Sequence, residues 1–192
     1  MKWVVVAIIL VIVPYTFLTL HYRKPGKAFE PYHDIKDRAN TMRLLSAGFQ
    51  RITLEADRPA DRVGGSPPAA LFPARGGLPE ALDASLVDKP LLPAEIITVN
   101  AAAGAHVASA YPIEFTCTLP DNHQQLGGAA LYVRSGLIVI VPTYERLSGG
   151  LLARTRENLI RLTVPAGALK PGTYHVTLVG SRLSKAWDLQ VH

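Results

Sequence analysis

Ile113-Glu114-Phe115-Thr116-Cys117-Thr118-Leu119 alternates apolar and polar side chains without a break. Successive side chains of a strand leave opposite faces, so Ile113, Phe115 and Cys117 share one face and Glu114, Thr116 and Thr118 the other. This predicts a half-buried strand across residues 110–119. The same signal recurs on either side. A β-branched run fills residues 95–100, while residues 129–133 and 136–141 are apolar runs separated by Arg134-Ser135, which reads as a tight hairpin. Residues 159–164 set Leu159, Arg161 and Thr163 against Ile160, Leu162 and Val164. Residues 173–179 turn Tyr174, Val176 and Leu178 inward, and residues 185–191 set Ala186, Asp188 and Gln190 against Trp187, Leu189 and Val191. About seven short strands in about a hundred residues, with turn residues between them, predict a β-sandwich over residues 94–192.

Far upstream the pattern is different in kind. From Trp3 to Leu20 there is no charged residue. At about 1.5 Å per helical residue such a run matches a hydrocarbon core about 30 Å thick. It is apolar all round, which a helix half-buried in its own protein would not be. Lys2 gives it the basic start of an export signal, but the exit, Tyr15-Thr16-Phe17-Leu18-Thr19-Leu20-His21-Tyr22, is bulky where a peptidase needs small residues. The expectation is an uncleaved transmembrane helix over residues 1–22. Pro14 loosens one turn, and Thr16, Thr19 or a neighbouring protein could take up the freed carbonyl. Trp3, Tyr15 and Tyr22 suit the aromatic belts of the two interfaces. The expected location is the bacterial inner membrane, crossed once, with the C-terminal domain extracytoplasmic. Arg23, Lys24, Lys27, Lys36 and Arg38 argue for the opposite orientation on a positive-inside count.

Residues 23–55 form a juxtamembrane segment. Within it Ile35, Ala39, Met42, Leu45 and Phe49 fall at helical spacing, with Lys36, Asp37, Arg38 and Arg43 opposite. Asp34 can cap the start and Gly48 suits the end. This predicts a short amphipathic helix lying on the bilayer or on a partner subunit, the alternative being a helix that packs on its own domain. Residues 56–93, with Gly64-Gly65-Ser66-Pro67-Pro68 and Pro73-Ala74-Arg75-Gly76-Gly77, read as a Pro/Ala/Gly-rich linker. The whole is thus a mainly β chain in four zones: anchor, juxtamembrane segment, linker and β domain.

Leu169-Lys170-Pro171-Gly172-Thr173-Tyr174, the strand that follows, and the closing Trp187-Asp188-Leu189-Gln190-Val191 resemble the late strands of bacterial immunoglobulin-like or fibronectin-type-III-like domains. That resemblance implies a sandwich, with Tyr174 tucked into a core corner, and no particular activity. The paired cysteines of antibody domains are absent.

The formal net charge is +5 over 192 residues, and the basic residues cluster near the anchor. They favour anionic lipid headgroups, whereas the scattered remainder offers no face for nucleic acid. Cys117 is the single cysteine, which excludes an intrachain disulfide and reads as a packed core residue. The six histidines form no HxH or HExxH spacing, and neither a G-x-S-x-G turn nor a phosphate loop occurs. No catalytic residue, metal ligand, cofactor or small-molecule substrate is expected. The function expected is that of a non-catalytic, single-span accessory or structural subunit of a larger integral membrane complex, respiratory or photosynthetic. The alternative is a membrane-tethered immunoglobulin-like module for a soluble protein or glycan, using the loops at residues 121–127 and 144–154. The residues expected to contact membrane or partner subunits are Trp3, Pro14, Tyr15, Tyr22, Arg23, Lys24, Ile35, Met42, Leu45 and Phe49.

Overall fold

The computed structural model describes residues 2–22, 35–59, 68–147 and 151–192. They fall into two compact units, Met1–Asp34 and Ile35–His192. The first contributes helix α1 (Lys2–Tyr22), with Pro14 inside it. Thr16 Oγ1 donates to the Ile12 carbonyl at 2.7 Å. Among the described residues no helix is long and apolar enough to cross a membrane. The spanning expectation is corrected by that finding.

In the second unit, helix α2 (Ile35–Ser46) precedes strands β1 (Gln50–Asp57) and β2 (Phe72–Arg75) and helix α3 (Glu80–Ser85). Eight more strands follow: β3 (Glu95–Ala101), β4 (Gly104–Ala105), β5 (Tyr111–Thr118), β6 (Gln124–Arg134), β7 (Leu137–Arg146), β8 (Glu157–Val164), β9 (Gly172–Leu178) and β10 (Leu183–Val191). Eight of the strands close on themselves in the order β10-β3-β5-β8-β1-β6-β7-β9 and back to β10. Neighbours are antiparallel except β7–β9 and β10–β3.

The fold is therefore a barrel, not the expected sandwich. The difference lies in one strand. β1 pairs with β6 from Gln50↔Val133 to Leu54↔Ala129 and with β8 from Glu55↔Thr163 to Asp57↔Arg161. It joins what would otherwise be the open edges of two strand groups. Its own alternation explains its place: Leu54 is buried in the barrel interior with Ile52 and Ala56 partly so, while Arg51, Thr53 and Glu55 are exposed. The barrel thus begins at Gln50, inside the segment expected to be juxtamembrane. The expected linker is also ordered where it is described. β2 lies antiparallel on β10, Ala69 N–H donates to the Ala101 carbonyl, and Leu91 bridges to Tyr144. Residues 60–67, with most of the first glycine cluster, lie outside the described residues.

The interior is filled by side chains from every ring strand, among them Ile113, Phe115, Cys117, Leu131, Ile140, Ile160, Leu162, Val176 and Trp187. A second cluster covers the opposite face of the β6–β7 hairpin. There Leu44 of α2, Phe49, Leu82 of α3 and Leu86 pack on Ala130, Tyr132, Val139 and Val141. β6 and β7 are thus buried on both faces, which is why their sequences read as unbroken apolar runs. Their turn is Ser135-Gly136, one residue later than expected. Both residues have positive φ, 45° and 80°, as a two-residue turn matching the strand twist requires. Tyr174 is buried and its hydroxyl donates to the Lys170 carbonyl at 3.0 Å. This corner resembles that of the sandwich domains, but here it sits in a barrel.

Candidate functional site

The register of four ring strands lines up one polar row. Asn100 of β3 faces Glu114 of β5, Glu114 faces Arg161 of β8, and Arg161 faces Asp57 of β1. Neighbouring residues of the same strands (Val99, Phe115, Ile160, Ala56) point into the core, so the row belongs to the outer surface. Yet Glu114 is buried, only 6 % exposed. Arg161 Nε donates to Glu114 Oε1 at 2.8 Å, and its Nη2 lies 2.7 Å from the same oxygen. Glu114 Oε2 is buried and has no hydrogen-bond partner among the described residues. A half-used buried carboxylate is unusual, because each unmet polar group costs about 1–3 kcal/mol and more when charged.

Two clefts flank this carboxylate. The larger, about 440 Å³, runs from Asn100 and Ala102 past His106, Ser109 and Tyr111 to Glu114 and Arg161. The smaller, about 180 Å³, lies between Thr98, Asn100, Glu114 and Leu159. The loop forming one wall of the larger cleft is fixed by the barrel itself. β4 pairs with the end of β10, Gln190 N–H donates to the Ala103 carbonyl, and Val107 N–H donates to the His192 carbonyl. Tyr111, at the edge of the core, has its hydroxyl 2.7 Å from the Ala102 carbonyl, to which it donates, and accepts from Trp187 Nε1 at 3.3 Å. Burial pushes its phenol up to about 12, against the Trp187 hydrogen bond.

Elsewhere the chemically capable groups are committed to packing or to the surface. Cys117 Sγ lies 3.0 Å from Tyr144 Oη inside the barrel. Burial pushes the thiol up to about 11 despite that contact, so it is a poor nucleophile. Burial, then Cys117, also raises the Tyr144 phenol. His175 Nδ1 pairs with Asp188 Oδ1 at 2.9 Å on the exposed face of β9–β10. Among the described residues no three His, Cys, Asp or Glu side chains are grouped to hold a metal ion.

The residues expected at a membrane or partner contact are divided between the two units. Trp3, Pro14 and Tyr15 are on α1, Trp3 86 % exposed, and Tyr22 is its last residue. Arg23 and Lys24 lie outside the described residues. Ile35 opens α2. Met42 and Leu45 are exposed, whereas Phe49 is buried against Leu44 with the Arg134 guanidinium 5.2 Å over its ring. The expected apolar side of α2 therefore splits: Phe49 serves the barrel, and Leu44, outside the expected set, carries the packing. Of the loops expected to bind ligand, residues 121–127 are tied locally, with Asp121 Oδ1 accepting from His123 N–H at 2.8 Å. Arg156 donates to the Leu119 and Pro120 carbonyls beside them. Glu114 and Arg161 were outside the expected set. Each reads as a solvent-facing residue of an alternating strand, and only the register across β5 and β8 brings them together.

Comparison with family models, curated proteins and solved structures finds no match for this chain.

Proposed function

We propose that the chain is a non-catalytic accessory protein of a larger bacterial membrane complex, joined to it through the apolar surface of α1. The observation that carries this reading is the exposure of that surface. Ile8, Leu10, Val11, Ile12, Val13, Phe17 and Leu18 are each half to three-quarters exposed on α1. Burying such a side chain is worth about 1.5–3 kcal/mol, so α1 favours acyl chains or the apolar helices of membrane subunits over water. Met42 and Leu45, exposed on α2, offer a second contact. Basic residues near α1 attract anionic headgroups. The barrel, its interior filled by side chains, serves as a rigid body beside the complex, on the extracytoplasmic side.

The test is gentle extraction of membranes that contain the intact chain, followed by native electrophoresis. The chain is expected to migrate in fixed ratio with integral membrane subunits, and removal of residues 2–22 to release it. Recovery of the intact chain only as a free monomer would sink the reading. Protease added to intact spheroplasts is expected to digest the barrel; protection of the barrel would reverse the orientation.

A further inference from the structure

The clefts around Glu114 carry an inference that does not depend on how α1 is accommodated. The larger holds about 440 Å³, against about 30 Å³ for a water molecule in the liquid, so it has room for a small organic ligand. Glu114, its side chain 8 % exposed, spends Oε1 on Arg161 and leaves Oε2 unpaired among the described residues. The ligand class follows from charge. Glu114 and Arg161 cancel, so an ion of either sign would meet its opposite and its like within one pair. A neutral ligand with several hydroxyls meets no such conflict. Each hydroxyl can donate to a carboxylate oxygen and accept from a guanidinium, the Asn100 amide or the Ser109 hydroxyl. Ala102, Ala110 and Pro112 supply low apolar walls for its C–H faces.

We propose that this cleft binds a small neutral polyhydroxylated molecule of the sugar class, with Glu114 accepting a ligand hydroxyl and Arg161 holding the carboxylate in place. Oε2 is closed to bulk water, so the ligand reaches it by displacing a wall. Asn100, exposed, cross-strand from Glu114 and lining both clefts, is the side chain to which we assign that displacement.

The experiment is an amide-resolved NMR titration of the full chain in a phosphocholine detergent, which brings no sugar of its own. The probes are D-glucose and N-acetyl-D-glucosamine, with acetate and ethylammonium as charged comparators. At least one sugar is expected to give saturable shifts at Asn100, Ala102, Glu114 and Arg161, with the amides of β6 and β7 unmoved. Ala110→Trp, an exposed position on the cleft wall, fills the space and is expected to weaken binding about tenfold or more. Asn100→Ala, which alters only an exposed side chain, is expected to weaken it several-fold and covers the case in which the tryptophan variant does not fold. Saturable shifts with neither sugar, shifts with acetate or ethylammonium alone, or sugar binding indifferent to both substitutions would each overturn the proposal.

Discussion

Two ion pairs of the barrel look alike in distance and differ in consequence. Arg161 reaches Glu114 at 2.7 Å, and Arg182 reaches Glu95 at 3.1 Å. Arg182 is 71 % exposed, and its pair sits in water, where such pairs contribute about 1 kcal/mol or less. Glu114 is shut away, so Arg161→Ala leaves a buried carboxylate without the donor it has among the described residues. Denaturant unfolding is expected to show a loss of about 2–4 kcal/mol for Arg161→Ala and under about 1 kcal/mol for Arg182→Ala. Equal losses would mean that Glu114 has other support. Buried acids set a second expectation. Cys117 rises from 9.0 to about 11 and Tyr111 from 10.0 to about 12 in the folded chain. Between the ordinary and the raised values the folded state holds protons that the unfolded state has released. Stability that is full below about pH 9 is therefore lost as pH rises through 9 to 12. Cys117→Ser puts a hydroxyl in place of the thiol beside Tyr144 and removes the earlier titration. Its melting temperature is expected to hold to about pH 10 before falling, where the parent chain already declines. A parent melting temperature that stays level from pH 8 to pH 11 would contradict this.

The strands themselves were largely legible. Seven of the eight ring members stand where alternation and turn residues place them, because burial on one face leaves a period of two in the chain. What could not be read was closure. β1 carries the same signal, Ile52, Leu54 and Ala56 against Arg51, Thr53 and Glu55, but a helix expected over residues 34–49 and a linker expected from residue 56 hid it between them. A strand's partners are set by tertiary register and leave little mark on its own residues. The same limit hid the site, since nothing in Glu114 or Arg161 alone announces a pair 47 residues apart in sequence. The central role of β1 is open to measurement. Leu54 is its one fully buried side chain, at the join between β6 and β8. Leu54→Ala is expected to cost about 2–5 kcal/mol in a single cooperative transition. A cost near zero would show the ring to be held without it. The turn into β10 is equally tight, because a Cβ on Gly76 would overlap the backbone of Arg182.

The chain carries two tryptophans with opposite surroundings, which makes it report on itself. Trp3 is exposed on α1, and Trp187 is fully buried in the barrel. If α1 seeks apolar cover, phosphatidylglycerol vesicles are expected to shift Trp3 emission to the blue and leave Trp187 unchanged. Trp3→Phe should abolish the vesicle response; a response that survives it would move the membrane contact to the barrel. The closed ring has a further consequence, in time. Gln50 pairs with Val133 and Glu55 with Thr163, so β1 waits roughly 80 to 110 residues for its neighbours, and the ring shuts only when Leu183 returns to Glu95. Contacts of such long range form slowly, and during synthesis few of them can form before most of the chain has left the ribosome. α1 emerges long before that, with its apolar surface complete and no barrel yet made. If α1 is shielded as proposed, its partner can meet it on the nascent chain, before the barrel has folded.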